Sequence, residues 1–566
     1  MVVRSKTTVC FTLDPEGYFR ESSGKRLFAA GVNYWPASSG LRMWERWDER
    51  EIATDLDLVR QLGFNTVRFF LRWQDFEPQP GVYAQHQFDR LDWLLGEFSR
   101  RGLLAQPSLF VGWMSGGIFW PDWKEHKNLF SDPFLTERAE AFAIQAARVI
   151  ARHRTCVLAV DLGNEMACLP DAKASTYEEI ATWCRRISNA VKDEFPGALV
   201  VSGCDMGQVT NDSAWAFDNQ PGTDFYSIHA YPVANWASVP IGGLDDPLSR
   251  RLFPFYCAYA RAYGPTLFQE FGTILTLGDE VQRDYLAEAL PAVAAAGVNG
   301  MLWWCLHDIH SLEHPYLLGE MEQNLGLVDA EGRVKPPLAD AVRQLAAWAA
   351  DPDTLPRPSE PDLALYVPDA IHSQAPYYLR HPNPQSLLGR RYLLAWHLAC
   401  EAGLSPRIVR SASLPEPGSM PLVFAGSSLL PAEREHLLDW VRAGGQLVVH
   451  GLSGRNWGTA HSAFFGARCV NYTLNVPRVV TYAGATWTFP APTDDNSYVI
   501  EPVTAHVLAR DQNGHPVVLC QTHGEGQITY SLVSPEEAAA HDRARSLAAG
   551  DRWRAWFYAL SPASIG

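Results

Sequence analysis

Across its first 350 residues the chain alternates eight short apolar runs with amphipathic stretches, and this rhythm constrains the fold more than any other feature. The strand-like runs are Leu27–Asn33, Thr66–Leu71, Leu103–Phe110, Val157–Gly163, Ala198–Gly203, Asp224–His229, Thr266–Glu270 and Gly300–Trp304. Helix-like stretches fall between them at Glu49–Leu62, Gln87–Arg101, Pro133–His153, Tyr177–Phe195, Pro247–Tyr263 and Gly278–Ala296. In the first of these, Ile52, Leu56, Val59 and Leu62 recur at three- and four-residue spacing, and Gly63 follows where a helix C-cap belongs. Strands and helices that alternate in this way build a parallel sheet. Eight such repeats predict an α/β fold, a (β/α)8 TIM barrel over residues 1–350. The connection after Ala198–Gly203 is the least regular of the set.

At 566 residues the chain is longer than one ordinary domain. A Pro-rich stretch over 351–361 cannot continue a helix and reads as an extended linker. Beyond it, Leu363–Val367, Pro421–Ala425 and Gln446–His450 read as strands, and Ser386–Ala402 and Pro431–Ala443 as helices. This predicts a small parallel α/β domain over 362–470. From about Asn471 the pattern shifts to short β runs at Ala505–Ala509, Pro516–Gln521 and Gly526–Leu532, with Gly and Asn turns. A β-rich antiparallel domain is therefore expected over 471–566, with a helical tail from Pro535.

A composition of 47% hydrophobic and 19% charged residues fits a folded chain. The net charge of −16 argues against nucleic acid or an anionic membrane as the main partner. No apolar run reaches the about 20 residues that a membrane-spanning helix needs. The first ten residues hold no long apolar segment of the secretory kind, and the ten cysteines are scattered with no CxxC pair, so a reduced, cytoplasmic protein is expected. No GxGxxG or Walker pattern follows a strand, and HExxH is absent, so neither a nucleotide cofactor nor a metal is expected. His307, Asp308, His310, Glu313 and His314 follow the eighth strand, and a polar loop facing substrate is expected there rather than a cation site. The 20 Trp residues offer flat apolar faces of the kind that pack on sugar rings.

Two carboxylates stand out, because a parallel barrel carries its chemistry at the C-terminal ends of its strands. Glu165 ends Val160-Asp161-Leu162-Gly163-Asn164-Glu165, and Glu270 ends Thr266-Leu267-Phe268-Gln269-Glu270. Two carboxyl groups facing one pocket are the minimum equipment for cleaving a glycosidic bond: one protonates the leaving oxygen, and the other attacks the anomeric carbon or activates water. Arg68, at the end of the second strand, is placed to pair with Glu270 and keep it ionised. Asn164 precedes Glu165 and offers an amide to a sugar hydroxyl. His229 and Tyr231 end the sixth strand, Tyr231 as a donor to the nucleophile and His229 as a partner of the acid or of substrate. Trp303 and Trp304 end the eighth, where one faces the mouth as a sugar platform. Cys168 and Cys305 lie close by without a paired base, so a thiol nucleophile is not expected.

As a set these residues resemble glycoside hydrolase family 5, in the clan of retaining (β/α)8 glycosidases. There an Arg follows strand two, Asn-Glu strand four, HxY strand six, Glu strand seven and Trp strand eight. The resemblance implies that Glu165 is the acid/base and Glu270 the nucleophile. It also implies that Arg68, Asn164, His229 and Tyr231 support them, and that Trp304 is the platform. One departure is visible: the family's His near the end of strand three is missing, and Trp113 stands in that region. Gly31-Val32-Asn33-Tyr34-Trp35-Pro36 and Phe119-Trp120-Pro121-Asp122-Trp123 are similar to the mannanase and β-mannosidase branches, with Trp35 among the sugar-binding residues. The implied activity is a retaining exo-β-glycosidase, a β-mannosidase of short β-1,4-manno-oligosaccharides. An endo-β-1,4-mannanase, a β-glucosidase or a β-galactosidase would use the same chemistry. A carbohydrate-binding scaffold with an inactive barrel is the alternative of another class, and the intact Glu pair opposes it. Pro421–Ala425 and Trp440–Val449 are similar to the flavodoxin-like domain of family 42 β-galactosidases, which implies a homo-oligomer built through the C-terminal domains.

Overall fold

The computed structural model describes residues 11–558 apart from 211–213, 234–235, 238, 274–277, 310, 312, 317–319, 330, 370–390, 427–428, 452–457, 474–475, 492–496 and 542–549. They form two compact units, with a boundary between Pro358 and Ser359.

The first unit is built on one sheet of eight strands: β1 (Ala29–Asn33), β2 (Thr66–Phe70), β3 (Leu104–Phe110), β4 (Val160–Asn164), β5 (Val200–Gly203), β6 (Tyr226–Ala230), β7 (Thr266–Phe271) and β8 (Gly300–Trp303). All neighbouring pairs are parallel, and β8 returns to β1 with Gly300 opposite Ala29 and Trp303 opposite Val32. From β5 to β6 the contact runs through the His229 N–H on the Cys204 carbonyl at 2.7 Å. The Cys204 N–H adds a bond to Ser227 Oγ at 2.9 Å. Strand order is thus chain order, the arrangement of a (β/α)8 barrel. The backbones come so close at β1 and β2 that a Cβ on Gly31 would lie 1.6 Å from the Thr66 carbonyl oxygen, so only glycine fits.

Helices α1 (Glu49–Gln61), α2 (Gln85–Arg101), α3 (Pro133–Ile150), α4 (Tyr177–Glu194), α5 (Pro247–Arg261) and α6 (Asp279–Ala295) match the amphipathic stretches to within a few residues. Their starts are chemically marked. Asp48 caps α1 by accepting from the Arg50 and Glu51 N–H groups, and Thr176 and Glu179 form a capping box on α4. The irregular fifth repeat has a simple cause: between β5 and β6 the described residues hold only the one-turn helix Gly207–Thr210. The chain adds α7 (Ala339–Ala350) after β8, and the Pro-rich stretch opens with a 3₁₀ turn at Pro352–Thr354 instead of extending at once.

The second unit is organised by one seven-stranded sheet, in the order Pro406–Val409, Leu363–Tyr366, Leu422–Phe424, Gln446–His450, Gly526–Ser531, Pro516–His523, His506–Arg510. The first five run parallel, and the last two are each antiparallel to the strand before them in this order. The boundary expected at residue 470 therefore falls inside one structural layer. Gly526–Ser531 lies directly on Gln446–His450, with Leu447 opposite Ile528, and Leu422, Leu447, Ile500, Leu519 and Ile528 share one core. Two antiparallel ribbons complete the unit, Ala467–Thr473 with Ser497–Pro502 and Arg478–Tyr482 with Ala485–Phe489. Of the helix expected over Ser386–Ala402, residues 386–390 lie outside the described residues, and the helix runs over Leu393–Glu401. No described helix is long and apolar enough to cross a membrane.

Candidate active site

Arg68 is the hub of the C-terminal end of the barrel. Its side chain is fully buried and its guanidinium bonds four groups. Nε and Nη2 donate to Asp161 Oδ2 at 3.0 and 2.7 Å, Nη2 to Asn164 Oδ1 at 2.8 Å, and Nη1 to Asn33 Oδ1 at 3.1 Å and to Glu270 Oε2 at 3.2 Å. Asp161, on β4, was not singled out from the sequence, yet it anchors the hub. Its second oxygen accepts from the Gly163 and Gly203 N–H groups at 3.1 and 2.9 Å. A buried charge pair is tolerated only when its lone pairs and protons are satisfied in this way. An acidic residue inside an otherwise apolar, fully buried strand must find a cation, which is the signal that could have found it.

The two glutamates face one another across this hub. One ligating atom from each of Glu165, His229 and Glu270 lies within 4.8 Å of the others. Glu165 turns out of β4 with φ of 47°, a left-handed conformation that costs a non-glycine residue roughly 1–2 kcal/mol, and its N–H is held on the Gly203 carbonyl at 3.0 Å. Glu270 receives Tyr231 Oη at 2.6 Å on Oε1 and Arg68 on Oε2. A register shift between Ile228 and His229 sets His229 opposite Glu270. The His229 ring then reaches Glu165 Oε1 with Nδ1 at 3.0 Å and Gln269 Oε1 with Nε2 at 2.9 Å.

Burial raises both carboxyls, but their neighbours differ. Glu165 is pushed up to about 8 by burial and by the charge of Asp205, against the pull of Arg68 and the Trp113 indole. Glu270 is raised to about 7 by burial and by Glu165, with His229, Arg68 and Tyr231 pulling it back. Arg68 and Tyr231 both donate to Glu270, so the ionised form is better served there and the shared proton at Glu165. Burial holds His229 below its ordinary value, so the ring is a neutral imidazole with one N–H. Assigning that N–H to Nε2, toward Gln269, leaves Nδ1 to accept from a protonated Glu165. The Glu–His–Glu grouping does not suit a metal ion, because Arg68 already sets a fixed positive charge against Glu270.

The other residues expected at the site divide between pocket and wall. Asn164 is nearly fully buried, and besides receiving Arg68 it donates from Nδ2 to the Trp113 carbonyl at 2.9 Å. Trp113 lies in the short strand after β3, where the sequence lacks the family's His, and its indole bonds to Glu165. Trp304 is 4% exposed, meets Phe70 edge to face, and donates from Nε1 to Glu322. Trp303 is turned into the wall, its Nε1 on the Leu325 carbonyl at 3.0 Å. Trp35 is also wholly inside the wall, stacked on Phe70 at 5.2 Å, so it supports the pocket and exposes no face to a sugar.

The loop after β8 uses its polar groups on the protein itself. His307 bonds Asp55 at 2.8 Å, Asp308 takes Lys335 at 2.6 Å, Glu313 pairs with Arg42 and Arg46, and His314 packs on Phe119. His310 lies outside the described residues. Burial pushes the Cys168 and Cys305 thiols far up, which removes them as nucleophiles.

Comparison with known proteins fits this geometry. The model of the cellulase family, glycosyl hydrolase family 5, matches residues 29–309. The chain is similar to the exo-β-1,4-mannosidase Op5Man5 from Opitutaceae bacterium strain TAV5, with 41% identity, coverage of 97% of this chain and 99% of that one, and a TM-score of 0.90. It shares a fold with Gan42B, a GH42 β-galactosidase from G. stearothermophilus, at 14% identity over 89% of this chain and 85% of that one, with a TM-score of 0.62. Among curated proteins it is similar to the probable β-galactosidase A of Aspergillus phoenicis, 25% identical over 32% of this chain, and it spans only 19% of that longer protein. The chain belongs to glycosyl hydrolase family 5 and is a glycoside hydrolase.

Proposed function

We propose that the protein is a retaining exo-β-mannosidase that removes mannose from short β-1,4-linked manno-oligosaccharides. Glu270 attacks the anomeric carbon while Glu165 passes its proton to the leaving oxygen. The glycosyl ester on Glu270 is then hydrolysed by water that Glu165, now ionised, deprotonates. Arg68 and Tyr231 hold the attacking carboxylate in place, and Asn164, His229, Trp113 and Trp304 shape the pocket around the sugar. The observation that carries the mechanism is the close approach of the pair, with carboxyl oxygens within 4.8 Å. Retaining enzymes separate the two groups by about 5–5.5 Å, whereas inverting enzymes need roughly 6.5–9.5 Å to admit a water. What supports mannose and exo action is the 41% identity to an exo-β-1,4-mannosidase over nearly the whole of both chains.

The second unit is read as a flavodoxin-like domain that joins copies of the chain. Its parallel strands and the exposed Val470, Tyr472 and Val503 on its ribbons support that reading, and sedimentation of the whole protein tests it. A cytoplasmic location is supported by the free, buried thiols of Cys184, Cys204 and Cys257.

Aryl β-mannoside, β-glucoside and β-galactoside, assayed in parallel, test the sugar, and product analysis on mannohexaose tests the mode. Preference for the mannoside with mannose as the first product is expected. Preference for another aryl glycoside, or internal cleavage to di- and trisaccharides, contradicts the reading.

A further inference from the structure

Glu322 is a further carboxylate near the pair, beyond Asp161 and Asp205, and double displacement by Glu165 and Glu270 does not use it. It lies in a one-turn 3₁₀ segment, Glu320–Gln323, in the loop after β8. The residue is 4% exposed, and its carbonyl is held by the Ile309 N–H at 2.9 Å. The Trp304 indole N–H donates to Oε2 at 3.3 Å, and the Ser115 hydroxyl bears on the same carboxyl. Both neighbours belong to the rim of the site. Trp304 follows β8, and Ser115 sits in the turn after β3, where the Trp113 carbonyl holds Asn164. The charge of Glu322 is felt at Tyr231, the residue that donates to Glu270.

A carboxylate has about four acceptor positions. Among the described residues the carboxyl receives one long bond from an indole and one neutral hydroxyl, and no cation acts on it. Asp161 shows the contrast, with Arg68 and two backbone N–H groups on its two oxygens. An interior carboxylate without such compensation is unfavourable until something supplies the donors. Neighbouring hydroxyls of a sugar ring do so, because their O–H groups are spaced to meet the two oxygens of one carboxylate.

The geometry points to Glu322 as a hydroxyl-binding residue of the pocket, and so as a determinant of which sugar is accepted. This role rests on Glu165 and Glu270 being the cleaving pair. Glu322 then grips the polar edge of the ring while Trp304, oriented by the same carboxylate, lies against it. A site built to bond a hydroxyl discriminates strongly against an analogue that lacks it.

The test is a cycle between residue and hydroxyl. Wild type, Glu322→Gln and Glu322→Asp are assayed on the aryl β-glycoside that wild type cleaves fastest, and on its monodeoxy derivatives at each ring position. Glu322→Gln is expected to lose roughly ten- to hundredfold in kcat/KM on the parent substrate. For the derivative missing the bonded hydroxyl, that loss should shrink to within about threefold, with melting unchanged. Equal losses on the parent and on every deoxy derivative would reduce Glu322 to a support for Trp304 and overturn the proposal. Undiminished activity of Glu322→Gln would overturn it too. Where Glu322→Gln does not fold, the Asp variant carries the same cycle. A wild-type preference for a sugar other than mannose sinks the mannosidase reading but leaves this test intact, since the cycle is run on the preferred sugar.

Discussion

At the scale of single residues, the two glutamates differ in what surrounds them more than in what they are. Asp205 raises Glu165, and the Trp113 indole lowers it. The alkaline limb of kcat/KM against pH reports loss of the proton from the acid in the free enzyme. Asp205→Asn removes a charge that opposes ionisation, so that limb is expected to move to lower pH. Trp113→Phe removes a donor that favours ionisation, so the limb is expected to move to higher pH. Shifts of the same sign, read from the two profiles, would contradict the assignment of the limb to Glu165. Asp161 makes a separate claim. Replacing it by Ala strands the buried Arg68, and a broken buried pair costs about 3–5 kcal/mol. Denaturant unfolding should show a loss of that size, accompanied by slower turnover because Glu270 loses its oriented partner. That Glu165, Glu270, Arg68, His229 and Tyr231 meet at one end of the barrel was legible because strand ends announce themselves by composition. Asp161 was hidden inside an apolar run. Glu322 sits in a loop without periodicity, so only the folded chain brings it to Trp304.

At the scale of elements, the barrel was readable because burial imposes a pattern on every strand. Each of β1, β2, β4, β5, β7 and β8 is buried along its whole length, and a strand covered on both faces appears as a continuous apolar run. The helices were readable because each buries one face. The second unit was harder for the same physical reason. Pro406–Val409 begins with a proline and an exposed Arg407, and the ribbon of Ala467–Thr473 leaves Val470 and Tyr472 in solvent, so neither carries a burial pattern. The tightest point in the barrel gives a prediction of its own. Gly31→Ala drives a methyl into the Thr66 carbonyl, and β1 cannot yield without breaking its pairing with β2 and β8. Its loss of stability should reach or exceed the about 1–3 kcal/mol of an overpacked core. Gly278→Ala, with open space around the added carbon, should stay within about 0.5 kcal/mol of wild type in the same unfolding experiment.

At the scale of the whole molecule, the sequence reading placed a linker over 351–361, where the boundary between the two units falls at Pro358, and it drew a second boundary at 470 across which one seven-stranded sheet continues. Alternation changes character there because antiparallel strands join a parallel sheet, and a change in pattern is not a change of core. The barrel gathers residues from β2, β4, β6, β7 and β8 around one site, and the proposed double displacement through Glu270 rests on that gathering. The most direct measurement is to incubate the protein with 2-deoxy-2-fluoro-β-mannosyl fluoride and map the modified peptide by mass spectrometry. Double displacement predicts one glycosyl adduct, on Glu270. An adduct on Glu165 or any other residue, or no adduct together with release of the α-anomer as the first product of an aryl β-mannoside, would contradict it.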